Sequence, residues 1–297
     1  MGGASSNRPN GNRDIAGLIE RQRVLTPTAL SKKREKVREI FNRAAQSLSE
    51  HAEPVYDEHM AEHNRVGYQI LSDIKDEAVP KHVKTSLKER GMSFKMLVGG
   101  PGTAKLEFFL FIETLFSYIQ TGGAVDVVLV DPAEAMLEVA RRKFENKKIV
   151  LAPEDQERFG IHVINEPLED VRTLAVLNKY PILADNSFSL AFCSYLVNWL
   201  GSEARQAYTN ILHLLAPARK LITIEEWNLI VTPSMSVPEG LEEALNDMDQ
   251  KISPEALYSM LSEIGLSSYG SLDRGRLINA GTDYEHTMHY AIFQKPR

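Results

Sequence analysis

The sequence is nearly devoid of cysteine. Cys193 is the only one in 297 residues, which excludes an intramolecular disulfide and leads us to expect a reducing, cytoplasmic setting. There is also no run near the about 18 uninterrupted apolar residues that a membrane-crossing helix needs. The nearest stretch, Leu106–Ile119, is too short and contains Glu107 and Glu113. The first residues lack the apolar core of a secretory signal. Positive charge is not in excess either: the formal net charge is -6, so no nucleic-acid partner is expected.

That charge is unevenly spread. Residues 1–50 hold ten Lys/Arg against five Asp/Glu, including the cluster Lys32, Lys33, Arg34, Lys36 and Arg38. Met1-Gly2-Gly3-Ala4-Ser5-Ser6 fits a loose N-myristoylation pattern, and with the basic cluster it could provide weak membrane contact. Residues 1–13 are polar and read as disordered. Two helical patterns follow between Asp14 and Glu50, broken at Thr26-Pro27. The second places Val37, Ile40, Phe41 and Ala44 on one face, as a solvated helix lying on a core would.

A further helix is predicted from Pro54 to about Ile74, carrying Tyr56, His59, His63, Tyr68 and Leu71. His59-Met60-Ala61-Glu62-His63 matches the H-x-x-E-H zinc pattern, and His59 and His63 would share a helix face. Nothing nearby offers a third ligand, so no metal is expected. A polar helix closing over a cleft is the expectation instead.

From Phe94 the pattern changes. Phe94-Lys95-Met96-Leu97-Val98 reads as a buried strand and is followed by Gly99-Gly100-Pro101-Gly102-Thr103-Ala104, then by a Leu- and Phe-rich helix. Glycines there allow a sharp turn and a close approach of backbone to ligand. Ala124–Val130 is the second strand and ends in Asp131-Pro132, with a helix over Ala133–Phe144. An acid at that tip suits the two hydroxyls of a ribose, and Asp131 would also cap the next helix. Strands follow at Ile161–Asn165, Leu190–Leu196 and Leu221–Glu225, with helices between and after them and two closing strands near 271–278 and 286–294. Alternating strands and helices imply a parallel sheet with right-handed crossovers.

In order and spacing these motifs resemble the class I S-adenosylmethionine-dependent methyltransferases, in particular their small-molecule branch. Met96–Ala104 is similar to the family's glycine loop, Val130–Leu137 to its ribose motif, and Asn165-Glu166-Pro167 to its adenine-side acidic motif. Asp185–Leu190, Leu214–Leu221, Ser253–Leu266 and His289–Pro296 resemble its later blocks. The resemblance spans residues 93–297. It implies an α/β, Rossmann-like three-layer sandwich whose mostly parallel seven-stranded sheet ends in a C-terminal antiparallel strand. To this are added a basic N-terminal arm (1–50) and a helical cap (51–92). It further implies S-adenosyl-L-methionine as cofactor, held by Gly99, Gly100, Pro101, Gly102, Asp131, Pro132, Glu166, Pro167 and Ser194. Four positions depart from the family pattern: Val98 where an acid is usual, Ala104 for a third glycine, Ser189 for an aspartate, and Ala218-Arg219 for two glycines.

Methyl transfer is an in-line attack, so the protein chiefly aligns the reactants and removes a proton from a hydroxyl or ammonium acceptor. Candidate bases are His59, His63 and Glu225, with Glu226, His286 and His289 behind them; Tyr56, Tyr195, Trp199 and Trp227 are candidate walls for a small-molecule acceptor. Ser194-Tyr195-Leu196-Val197-Asn198-Trp199 contains no Asn-Pro-Pro-aromatic motif, which disfavours nucleic-acid amino-methylation. The competing readings are a methyltransferase-like binding protein without turnover and a nicotinamide-dependent reductase. No hydride-transfer constellation supports the last.

Overall fold

The computed structural model describes residues 29–45, 61–227, 252–269, 276–278 and 286–297. Three helices come first: α1 (Ala29–Ala44), α2 (Ala61–Ala78) and α3 (Lys81–Glu89). The alternating region then runs β1 (Phe94–Gly99), α4 (Lys105–Gln120), β2 (Val125–Val130), α5 (Glu134–Lys148), a single turn α6 (Pro153–Gln156) and β3 (Phe159–Ile164). After a 3-10 turn (Leu168–Asp170) come α7 (Val171–Val176), β4 (Phe188–Ser194), α8 (Val197–Leu200), α9 (Ala204–Leu214) and β5 (Leu215–Trp227). The last elements are α10 (Pro254–Glu263), β6 (Ser267–Ser268), β7 (Arg276–Ile278) and β8 (His286–Gln294).

These strands form one sheet in the order β3-β2-β1-β4-β5-β8-β6, parallel up to β5 and antiparallel beyond it. The chain has a Rossmann-like α/β fold. The sheet is seven positions wide, as expected, yet it contains eight strands. With β5 along one side of β8, the two-residue β6 and the three-residue β7 share its other side. So short a piece as Ser267–Ser268 carries no period, and only its pairing with Phe293 and Gln294 makes it a strand.

Side chains alternate along β1. Met96 and Val98 join the face covered by α2–α5, while Leu97 joins the face covered by α7, α9 and α10. The near-continuous apolar strands follow from this double coverage, and every residue of β4 is buried.

Helix α2 does not stand off as a closing lid. Val66, Ile70, Leu71 and Ile74 are all buried in the same cluster as Val98, Phe192, Ile222 and Met288. Lys220 Nζ also donates to the Glu77 carbonyl (2.9 Å), tying the last turn of α2 to the middle of β5. Four such side chains are worth roughly 6–12 kcal/mol of burial, too much to release in a lid-like opening. Among the described residues no helix is long and apolar enough to cross a membrane. The N-myristoylation pattern, Tyr56 and His59 lie outside the described residues.

Candidate functional site

Strand register brings the candidate residues into one row. Ile164, Val130, Gly99 and Cys193 are neighbours across β3, β2, β1 and β4. The next residue of each, in that order Asn165, Asp131, Gly100 and Ser194, therefore emerges at the carboxyl edge of the sheet. Between β1 and β4 the strand order reverses, which is where open α/β sheets form their ligand crevice.

The turn after β1 is built for close approach. Gly100 and Gly102 have φ of 63° and 53°, and Ala104 takes the same left-handed region at 55°. Gly100 N–H donates to the Val130 carbonyl (2.9 Å), and Ala104 N–H closes the turn on the Pro101 carbonyl (2.7 Å). Gly99 has a packing role: a Cβ there would meet Leu168 Cδ2 at 2.8 Å and Cys193 Sγ at 3.1 Å. Gly100 lies under Leu196, whose Cδ1 would be 2.7 Å from an added Cβ.

Asp131 faces that turn. Its Oδ1 accepts from Ala133 N–H (2.8 Å) and its Oδ2 from Gly102 N–H (3.4 Å), so one carboxylate braces both the start of α5 and the glycine loop. Burial pushes its pKa up to about 6, opposed by those two N–H groups. Asn165 Nδ2 donates to the Asp131 carbonyl (3.1 Å) and steadies the same corner. Pro132 is exposed beside it. Glu166 is half-buried and ion-paired with Lys179, while Pro167 leads into the 3-10 turn.

On the other side of the crevice, Ser194 is buried and Tyr195 sits at φ 54°, an outlier for a bulky residue. Tyr195 Oη donates to the His63 carbonyl (3.2 Å), and the two rings meet edge-on at 6.3 Å. His63, in the first turn of α2, is thus at the carboxyl edge. Glu62 points away into an ion pair with Arg65 (2.6 Å). Among the described residues no group of three His, Cys, Asp or Glu is disposed to hold a metal ion.

Glu225 is not an open base. It is 3% exposed, and its Oε1 accepts from Thr223 Oγ1 (2.7 Å) and Tyr208 Oη (3.0 Å). Its Oε2 accepts from Val197 N–H (3.1 Å). Burial pushes its pKa up to about 7 against these donors. A small cleft adjoins it, lined by Thr223, Tyr258 and His289 among others.

Helix α1 contributes what the sequence did not reveal. Ala44 and Ala45 pack on Ala133 and Met136 just beyond Asp131, and Asn42 Oδ1 accepts from Ala135 N–H (2.9 Å). Phe41 meets Trp199 edge-on at 4.7 Å, beyond β4. The helix therefore bridges the loops after β2 and β4, on either side of the glycine loop. Its apolar stripe was legible; where that stripe docks was not, because no local pattern encodes a contact over 93 residues.

No protein-family description matches the chain, and neither does any curated protein. Among solved structures it is similar to a phosphoethanolamine N-methyltransferase of Haemonchus contortus in complex with S-adenosylhomocysteine (13% identity, TM-score 0.45). That match covers 77% of this chain and 53% of the other, so the chain spans about half the length of that enzyme. It is also similar to a SAM-dependent methyltransferase of Thermotoga maritima (14% identity, 86% of this chain, 98% of the other, TM-score 0.47). A third is the N-methyltransferase NodS of Bradyrhizobium japonicum (12% identity, 72% of this chain, 93% of the other, TM-score 0.42).

Proposed function

We propose that the protein binds S-adenosyl-L-methionine and transfers its methyl group to an oxygen or nitrogen of a small molecule. The observation that carries this is the pairing of the left-handed turn Gly100–Ala104 with the Asp131 carboxylate across adjacent strands at the switch point. In this assignment Gly99, Gly100, Pro101 and Gly102 present backbone to the methionine part, and Asp131 with Pro132 takes the ribose. Glu166 and Pro167 lie on the adenine side and Ser194 on the floor. The cofactor, when bound, supplies an electrophilic methyl group. The chain's own residues orient it and exclude water. In this reading Tyr195 and Trp199 wall the acceptor side; His63, 4% exposed, is scarcely more open than Glu225, so no general base is assigned.

A second reading, a binding protein without turnover, is favoured by Val98, which is fully buried where an acid would otherwise reach the cofactor. The two are separated by incubating the chain with labelled S-adenosyl-L-methionine and a panel of small amines, phenols and carboxylates. Labelled product supports the enzyme. Saturable cofactor binding with no product from any acceptor supports the second reading.

A further inference from the structure

Resting on that cofactor reading, we infer that Glu225 is a positioning residue: its carboxylate fixes the loop after β4 and through it holds Leu196 against the glycine loop. The loop is pinned from two sides. On the α2 face, Tyr195 bonds the His63 carbonyl, while its N–H donates to the Ile224 carbonyl (2.8 Å). On the α9 face, the N–H of Val197, the residue after Leu196, donates to the Glu225 carboxylate, which Thr223 and Tyr208 orient from below. Tyr208 is itself oriented, its hydroxyl 3.2 Å from Thr223 Oγ1. Burial beside Glu225 and Cys193 keeps that phenol protonated well beyond its usual range, so it remains a donor.

Leu196 is the link to the ligand crevice. Its Cδ1 lies where any Cβ on Gly100 would clash, so a shift of the loop moves the wall against which the glycine turn rests. A buried carboxylate is costly unless its lone pairs are filled, and here three donors converge on it. A glutamine of the same shape would set an NH2 group against N–H or O–H donors and loosen the loop. Glu225 thus acts on the cofactor without touching it.

The test is a double-mutant cycle read by calorimetric titration with S-adenosylhomocysteine, using wild type, Glu225→Gln, Leu196→Ala and the double variant. Glu225→Gln is expected to weaken binding about tenfold, the worth of one charge-assisted hydrogen bond. In the Leu196→Ala background the same substitution should change Kd less than about twofold, because the side chain that transmits the effect is gone. A merely structural carboxylate would lower the melting temperature in both backgrounds and leave the two Kd ratios equal. Equal ratios, or an unchanged Kd in Glu225→Gln, would overturn the inference. If Glu225→Gln does not fold, Tyr208→Phe repeats the cycle, since it keeps the carboxylate and deletes one orienting donor; the same outcomes decide. A wild-type chain that fails to bind S-adenosylhomocysteine refutes the cofactor reading itself, which a failed cycle in a binding protein does not.

Discussion

Asp131 braces the start of α5 and the glycine loop with its two oxygens, and in the proposed function the same oxygens take the ribose. Asp131→Ala should weaken binding of S-adenosylhomocysteine by about 1.5–3 kcal/mol, and calorimetry would show it. Unchanged affinity would leave Asp131 a brace for α5 alone. Ala104 is a different case: a Cβ held at φ 55° costs about 1 kcal/mol that glycine avoids. Ala104→Gly should raise stability by up to that amount in urea unfolding, offset in part by the added freedom of the unfolded chain. Val98 packs between Leu129 and Phe192 in the register of β1. Val98→Asp places a carboxylate in that core and should cost about 3–5 kcal/mol rather than tighten cofactor binding. A folded Val98→Asp variant with improved affinity would show that the site still has room for the acid.

At the scale of elements, α1 and α2 exchange the parts that their sequences suggest. The sequence places the helix from Pro54 to about Ile74 over the site and lays the helix of the basic arm on the core. In the fold α2 buries its stripe in the core, and α1 is the element that bridges the crevice. Deleting residues 1–74 should therefore abolish folding, whereas deleting residues 1–45 should leave a folded protein, read by circular dichroism and melting. Phe41→Ala removes an aromatic pair worth about 0.5–1.5 kcal/mol, and by stopped-flow should speed cofactor release several-fold. The strands and the glycine turn could be read locally, since each carries its own period or φ requirement. Asn42 and Phe41 could not, because their partners Ala135 and Trp199 are set by the docking of α1 on the finished sheet. The Thr223–Glu225 pair did leave a trace: two polar residues two apart on an apolar strand point to one face and ask for a partner there, which proved to be Tyr208.

For the molecule as a whole, Asp131 and Glu225 titrate near 6 and 7, above the range of carboxylates in an unfolded chain. Their folded forms hold protons that the unfolded forms have released, so this share of stability is complete below about pH 4 and is lost as pH rises through 6 and 7. Urea midpoints should accordingly fall between pH 5 and 8, and Glu225→Gln should flatten the upper part of that decline. The cofactor reading is decided by thermal melting with S-adenosylhomocysteine and, separately, with NADH. A micromolar ligand at a hundredfold excess over its Kd stabilises the native chain by about 2.7 kcal/mol, so a shift of several degrees with S-adenosylhomocysteine and none with NADH is the predicted result. A flat response to S-adenosylhomocysteine with a shift under NADH would contradict it.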